Sequence, residues 1–193
     1  MKIIGLTGGI ATGKSTVSKM LVERGFEVID ADVVARELQA KGGPVLLELT
    51  KTFGATILDA DGNLDRAKLG NIVFGSESKR LLLNEVMHPA IKAEFGRTIS
   101  QVSAEVVFLD VPLLFEAGFD SLTHENLVIS VAKEKQLERL VARNNLTQAE
   151  AEARINAQMP LAEKVARADY VIDNNGTIED LLKQIENFLE GLQ

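Results

Sequence analysis

The residues best suited to chemistry lie at Gly8 to Ser15, which read Gly-Gly-Ile-Ala-Thr-Gly-Lys-Ser. This is G-x-x-x-x-G-K-[ST], the pattern of a phosphate-binding loop. A triphosphate tail needs many donors close to its oxygens. Glycines let the backbone bend and approach without a Cβ in the way. The N–H groups running through Gly8, Gly9, Ile10, Ala11, Thr12, Gly13, Lys14, Ser15 and Thr16 would form an anion nest. The nest stands at a helix start, where the dipole also favours negative charge. Lys14 brings a point charge to the β- and γ-phosphates, and the Ser15 hydroxyl is a ligand for Mg²⁺.

Such a loop works only between a strand and a helix. Lys2 to Thr7 (KIIGLT) is a short apolar run, as a buried strand should be. Thr16 to Arg24 has helical spacing and stops at Gly25. A second strand is expected over Phe26–Asp30, and helix again over Val33–Ala40. Asp30 and Asp32 therefore stand at the C-terminal end of a strand, the ligand edge of an open parallel sheet. One of them is expected to cap the helix. The other is then spare, and one of the pair is a catalytic candidate. Arg36 lies one helical turn after Asp32, within i,i+4 reach.

Gly42-Gly43-Pro44 breaks the chain, and residues 44–103 read as helices with little strand character. An all-helical stretch between strands suggests an insertion that holds a phosphate acceptor. His88-Pro89 is expected between two of these helices, with Pro89 at a first helical position. A histidine there is more often structural than catalytic. Asp59 to Asn63 fails as a calcium loop, because its glycine and its twelfth residue are wrong. It also matches the D-x-x-G of GTP switches, but reads best as a polar turn.

Val106–Asp110 is a hydrophobic strand ending on an acid, as a Walker B strand does. Asn126–Val131 and Tyr170–Asp173 are further strands. Lys133–Arg143 is a helix with Arg139 and Arg143 one turn apart. Thr147 to Glu150 is a capping box that opens a helix carrying Arg154 and Gln158. Pro160 opens a short helix through Ala168, and Ile178–Leu189 closes the chain as an amphipathic helix. Paired arginines after a sheet strand fit a lid over phosphates.

Composition bounds the rest. The 193 residues carry 46% hydrophobic and 25% charged side chains, ordinary for one globular α/β domain. No apolar run approaches a membrane span, and no signal peptide is expected. There is no cysteine, and only two histidines, His88 and His124, stand far apart, so disulfides and a zinc site are not expected. The net charge of −7 would require a local basic patch for any nucleic-acid partner.

Taken together, these stretches resemble the dephospho-CoA kinases over nearly the whole chain. The resemblance rests on LTGGIATGKS, DADVVAR from Asp30 to Arg36, LDADGNLDR from Leu58 to Arg66, His88-Pro89, and PLLFE from Pro112 to Glu116. LERLVARNNL from Leu137 to Leu146, Arg154, Gln158 and Lys164 around QMPLAEKVARAD, and YVIDNNG complete it. Ala11-Thr12 stands where Gly-Ser is common in the family.

The resemblance implies a phosphate-loop kinase with a parallel five-stranded sheet of order 2-3-1-4-5 and helices on both faces. The core would be residues 1–32, 104–132 and 169–193. Residues 33–103 would bind the acceptor, and residues 133–168 would form a lid. The reaction implied is ATP-dependent phosphorylation of the ribose 3′-hydroxyl of dephospho-CoA, with Mg²⁺ as cofactor. Asp32 would accept the hydroxyl proton, with Lys14, Arg139 and Arg143 on the transferring group. Acceptor contacts would come from Asp32, Arg36, His88, Leu114, Phe115 and Glu116. Asn175 and Gly176 would lie near adenine. A cytoplasmic monomer without nucleic-acid or membrane partners is expected. A nucleoside or nucleotide kinase is the nearest rival. A GTP switch is more distant, since the chain has no Asn-Lys pair for a guanine motif.

Overall fold

Five short apolar runs become strands. The computed structural model describes residues 1–192. In chain order they form β1 (Lys2–Gly8), α1 (Lys14–Glu23), β2 (Glu27–Asp30), α2 (Ala31–Leu38), α3 (Pro44–Phe53), α4 (Arg66–Val73) and α5 (Glu77–Gln101). There follow β3 (Val106–Asp110), β4 (Glu125–Ser130), α6 (Lys133–Asn144), α7 (Gln148–Asn156), α8 (Leu161–Ala166), β5 (Tyr170–Asp173) and α9 (Ile178–Glu190). The sheet is parallel with strand order β2-β3-β1-β4-β5, as expected.

β1 lies between β3 and β4, and its residues from Ile4 to Gly8 are buried. Leu6 is in register with Asp110 of β3, and Gly8 with Ile129 of β4. This register brings the acid that ends β3 level with the strand that feeds the loop. Ile4, Leu6, Phe108, Leu127, Ile129 and Ile172 pack with Val17 and Leu21 of α1 and with Leu181, Ile185, Phe188 and Leu189 of α9. The apolar positions of α9 recur at helical spacing, so one stripe enters the core. Thr177 and Asp180 cap its start reciprocally, and the Thr177 bonds hold the Asp180 carboxyl below its usual range.

Two compact units result: Asp30–Val102 forms one, and the chain on either side of it forms the other. The first is helical, with Leu46, Leu49, Ile57, Leu69, Met87, Ile91 and Phe95 buried. Asp59 closes a polar turn by accepting N–H bonds from Asp61 (3.0 Å) and Asn63 (2.8 Å). These bonds, the Asn63 backbone foremost, lower its pKa.

Three local expectations are corrected. His88-Pro89 does not separate two helices, because α5 runs unbroken from Glu77 to Gln101 with Pro89 inside it. Proline removes one backbone donor, and the remaining turns of a long packed helix outweigh that loss. α2 begins at Ala31, so Asp32 stands in its first turn. Gln158 lies past the end of α7, which stops at Asn156.

Candidate active site

β1 ends at Gly8, and α1 starts at Lys14 with Gly13 at its N-cap. Gly13 has φ +95°, and a Cβ there would collide with the Asn174 side-chain amide. Both facts require glycine at this position. Ala11 also takes a positive φ of 60°.

The loop carbonyls are tied down by side-chain donors. Lys164 Nζ donates to Gly8 O (3.4 Å), and Thr12 Oγ1 to Gly9 O (2.9 Å). Gln136 Nε2 donates to Ile10 O (2.8 Å), and Asn174 Nδ2 to Thr12 O (2.8 Å). With these oxygens bonded outward, the N–H groups of the same peptides turn toward the opposite side. One is itself claimed: Ile10 N–H donates to Gln158 Oε1 (2.9 Å). The loop is therefore preorganised by α6, by α8, and by the residue after β5.

Lys14 Nζ pairs with Asp110, whose side chain is 2% exposed. An ammonium has three donors, so this bond leaves two for phosphate oxygens. Ser15 is exposed in the first turn of α1. Its hydroxyl and the Asp110 carboxylate are hard oxygen donors, the kind Mg²⁺ takes.

Arg139 of α6 is half-buried and donates through Nη2 to Asn174 O (3.1 Å). Arg143 is exposed at the end of α6, and its Nε donates to Asn144 Oδ1 (2.9 Å). The structure thus sets Arg139 beside the residue that braces the loop. Arg143 bonds its own neighbour instead.

After β5, Asn174 touches the loop, not Asn175. Asn175 Oδ1 accepts from Ala132 N–H (2.8 Å), and its carbonyl accepts from Lys135 Nζ (2.6 Å). Gly176 lies against the Asp180 carboxylate at the start of α9. Gln136 is a loop-contacting residue that the sequence did not single out. It acts across a long stretch of chain, and no local pattern marks it.

Leu114 is fully buried and Phe115 is 5% exposed. Leu114 packs its segment into the core. The Phe115 ring lies under the Arg167 guanidinium at 4.4 Å. Glu116 Oε1 pairs with Lys164 Nζ (2.8 Å) and accepts from Met159 N–H (3.2 Å).

Asp32, Arg36 and His88 belong to the helical unit. Asp30 is the cap of α2: its Oδ1 accepts from Asp32 N–H (2.7 Å) and Val33 N–H (3.2 Å). Asp32 is exposed, and the Asp32–Arg36 ion pair that their spacing allows is not formed. His88 is pushed below its usual pKa by burial and then by the Lys92 charge one turn away. Both effects favour the neutral imidazole.

The loop, the Walker-type acid and the strand order describe a phosphate-loop kinase. A family model described as dephospho-CoA kinase matches residues 2–180. The chain belongs to the dephospho-CoA kinase family. A dephospho-CoA kinase of Carboxydothermus hydrogenoformans is 51% identical, over 98% of this chain and 94% of that protein. A solved dephospho-CoA kinase from Campylobacter jejuni superposes with a TM-score of 0.75 at 29% identity, covering 100% of this chain and 98% of that one. The crystal structure of TT1252 from Thermus thermophilus gives a TM-score of 0.84 at 36% identity, with the same coverage of both chains. Among the described residues, no helix of this family member is long and apolar enough to cross a membrane.

Proposed function

We propose that this chain transfers the γ-phosphoryl group of ATP to the ribose 3′-hydroxyl of dephospho-CoA. The products are coenzyme A and ADP, and the reaction is the last step of coenzyme A synthesis. The observation that carries this reading is the braced phosphate loop with its Lys14–Asp110 pair, in a chain of this family.

Phosphoryl transfer needs positioning and charge stabilisation more than covalent help. The backbone of Gly9, Ile10, Ala11, Thr12, Gly13, Ser15 and Thr16 cradles the phosphates, and Lys14 neutralises charge that builds on the γ-oxygens. Mg²⁺ would be held by Ser15, with Asp110 as the candidate acid, and would supply further charge neutralisation. Asp32 orients the 3′-hydroxyl and accepts its proton as the oxygen attacks phosphorus. The leaving ADP oxygen departs on the opposite side.

Residues 33–103 hold the acceptor, with Arg36 and Glu116 as polar contacts and neutral His88 as a hydrogen bonder. Phe115 shapes the segment before Glu116. Residues 133–168 form the lid, and residues 1–32, 104–132 and 169–193 the core. Asn175 and Gly176 flank adenine. The enzyme works as a cytoplasmic monomer and needs no nucleic acid or membrane.

A coupled ADP-release assay with a panel of acceptors tests the reaction. Dephospho-CoA should support turnover, and nucleosides and nucleotides should not. Preferred turnover of a nucleoside or a nucleotide would replace the acceptor and keep the chemistry.

The lid assignment has its own test. Arg143→Ala should lower turnover more than it weakens ATP binding, because lid arginines engage fully on closure. Its bond to Asn144 is local, so thermal stability should barely change. Arg139→Ala should cost turnover too, and it should also weaken ATP binding, since Arg139 holds Asn174 and Asn174 holds the loop. Parental kinetics in both variants would remove the arginines from the mechanism.

A further inference from the structure

Lys164 of α8 is fully buried, which is rare for lysine. A buried ammonium is tolerated only when it is paired and hydrogen-bonded. Its partners decide what it does. Pro112 O accepts from it at 2.9 Å, Glu116 Oε1 at 2.8 Å, and Gly8 O at 3.4 Å. Pro112 O also accepts from the Thr7 hydroxyl (3.1 Å), one residue before the loop begins.

These bonds close a circuit. Lys164 holds Gly8 and Glu116. Glu116 holds Met159 N–H (3.2 Å), and the preceding residue, Gln158, takes the N–H of Ile10 (2.9 Å). Gly8 and Ile10 bracket the first arm of the phosphate loop. Both ends of that arm are therefore fixed from the α7–α8 connection and from the last turn of α8. A simple packing role needs an apolar side chain there, not a desolvated charge. A charge is useful where a backbone carbonyl must be held in one direction.

We infer that Lys164 is a positioning residue for nucleotide binding: its ammonium fixes the Gly8–Ile10 arm so that the loop N–H groups meet the phosphates without reorganising. The inference rests on the reading that this loop binds ATP. Lys164 does not touch the reacting atoms. It acts through the loop backbone and through Glu116.

The test is Lys164→Met in the full chain, with Mg-ATP affinity measured by calorimetry in the absence of any acceptor. The dissociation constant for ATP should rise roughly tenfold, the scale at which groups one bond removed from a ligand act. Turnover should fall by about 10²-fold, as a small misplacement costs. Lys164→Met alone leaves the Glu116 carboxylate without its cation. The double variant Lys164→Met/Glu116→Gln removes that charge and keeps an acceptor for Met159 N–H. It should regain thermal stability while ATP binding stays weak. Parental ATP affinity in either folded variant overturns the inference and leaves Lys164 as a buried brace. Failure of both variants to fold assigns it to stability alone, and overturns the inference as well. A parent protein that does not bind ATP would instead sink the nucleotide reading itself.

Discussion

Lys14→Ala should lose turnover by about 10²- to 10³-fold, the effect of removing one preorganised charge contact of about 3–4 kcal/mol from a phosphoryl-transfer site. The loss falls on the transition state, where charge on the equatorial oxygens is most exposed to Lys14. The structure adds a second consequence. Lys14 is paired with Asp110, which is almost fully buried, so the variant takes the cation away from a buried carboxylate. Removing one partner of a buried pair destabilises a protein by several kcal/mol. Thermal unfolding should therefore shift down together with activity. Lys14→Ala/Asp110→Asn separates the two effects. It should recover stability and leave turnover as low as in the single variant. A rise in turnover that tracks the recovered stability would mean that Lys14 matters for folding and not for transfer.

Asp32→Asn should lower turnover by about 10²- to 10⁴-fold, the usual cost of losing a general base. Three jobs were open to an acid at this position: cap, ion-pair partner and base. The first belongs to Asp30, which accepts both N–H bonds at the start of α2. The second is not taken up. What remains besides catalysis is a favourable charge in the first turn of α2, worth about 0.3–1 kcal/mol. Stability should then change by no more than that, and ATP affinity hardly at all. Asp30→Asn is the comparison, and asparagine caps nearly as well as aspartate, so it should be mild in both stability and rate. Single-turnover transfer from labelled ATP to dephospho-CoA measures the difference. Transfer at the parental rate by Asp32→Asn would move the base elsewhere, with Asp110 the next carboxylate to replace.

The phosphate loop and the strands were legible because both are written locally, whereas the strand order came from the family resemblance. Gly8 to Ser15 is a contiguous motif, and each strand is an unbroken apolar run ending at a turn. The capping box at Thr147 was legible for the same reason. Pro89 misled because the local rule for proline is to start or stop a helix. Whether α5 continues depends on the packing of Met87, Ile91 and Phe95, which are buried on either side of the proline. Asp30 and Asp32 look alike in sequence, and only backbone geometry says which one caps. Gln136, Asn174 and Lys164 were the least visible. Their bonds to the loop span 126, 162 and 156 residues. Lys164 and Asn174 stood out only as parts of the family resemblance, and Gln136 is one more polar residue in a charged stretch.

The division of the chain also sets an order of events during synthesis. The helical unit, Asp30–Val102, is continuous, so none of its internal contacts waits for chain made after Val102. It can complete itself as soon as α5 has emerged. β1 is made first but pairs with β3 and β4, so Lys2 waits for Val106, and Gly8 for Ile129. Such distant pairings form slowly, because the intervening chain must first give up its freedom. Until then the apolar strand that precedes the phosphate loop has no sheet to join. An early-folding insert shortens the effective distance between β1 and β3, since a compact unit spans far less than the same residues unfolded. The insertion that interrupts the sheet in sequence therefore also speeds its closure.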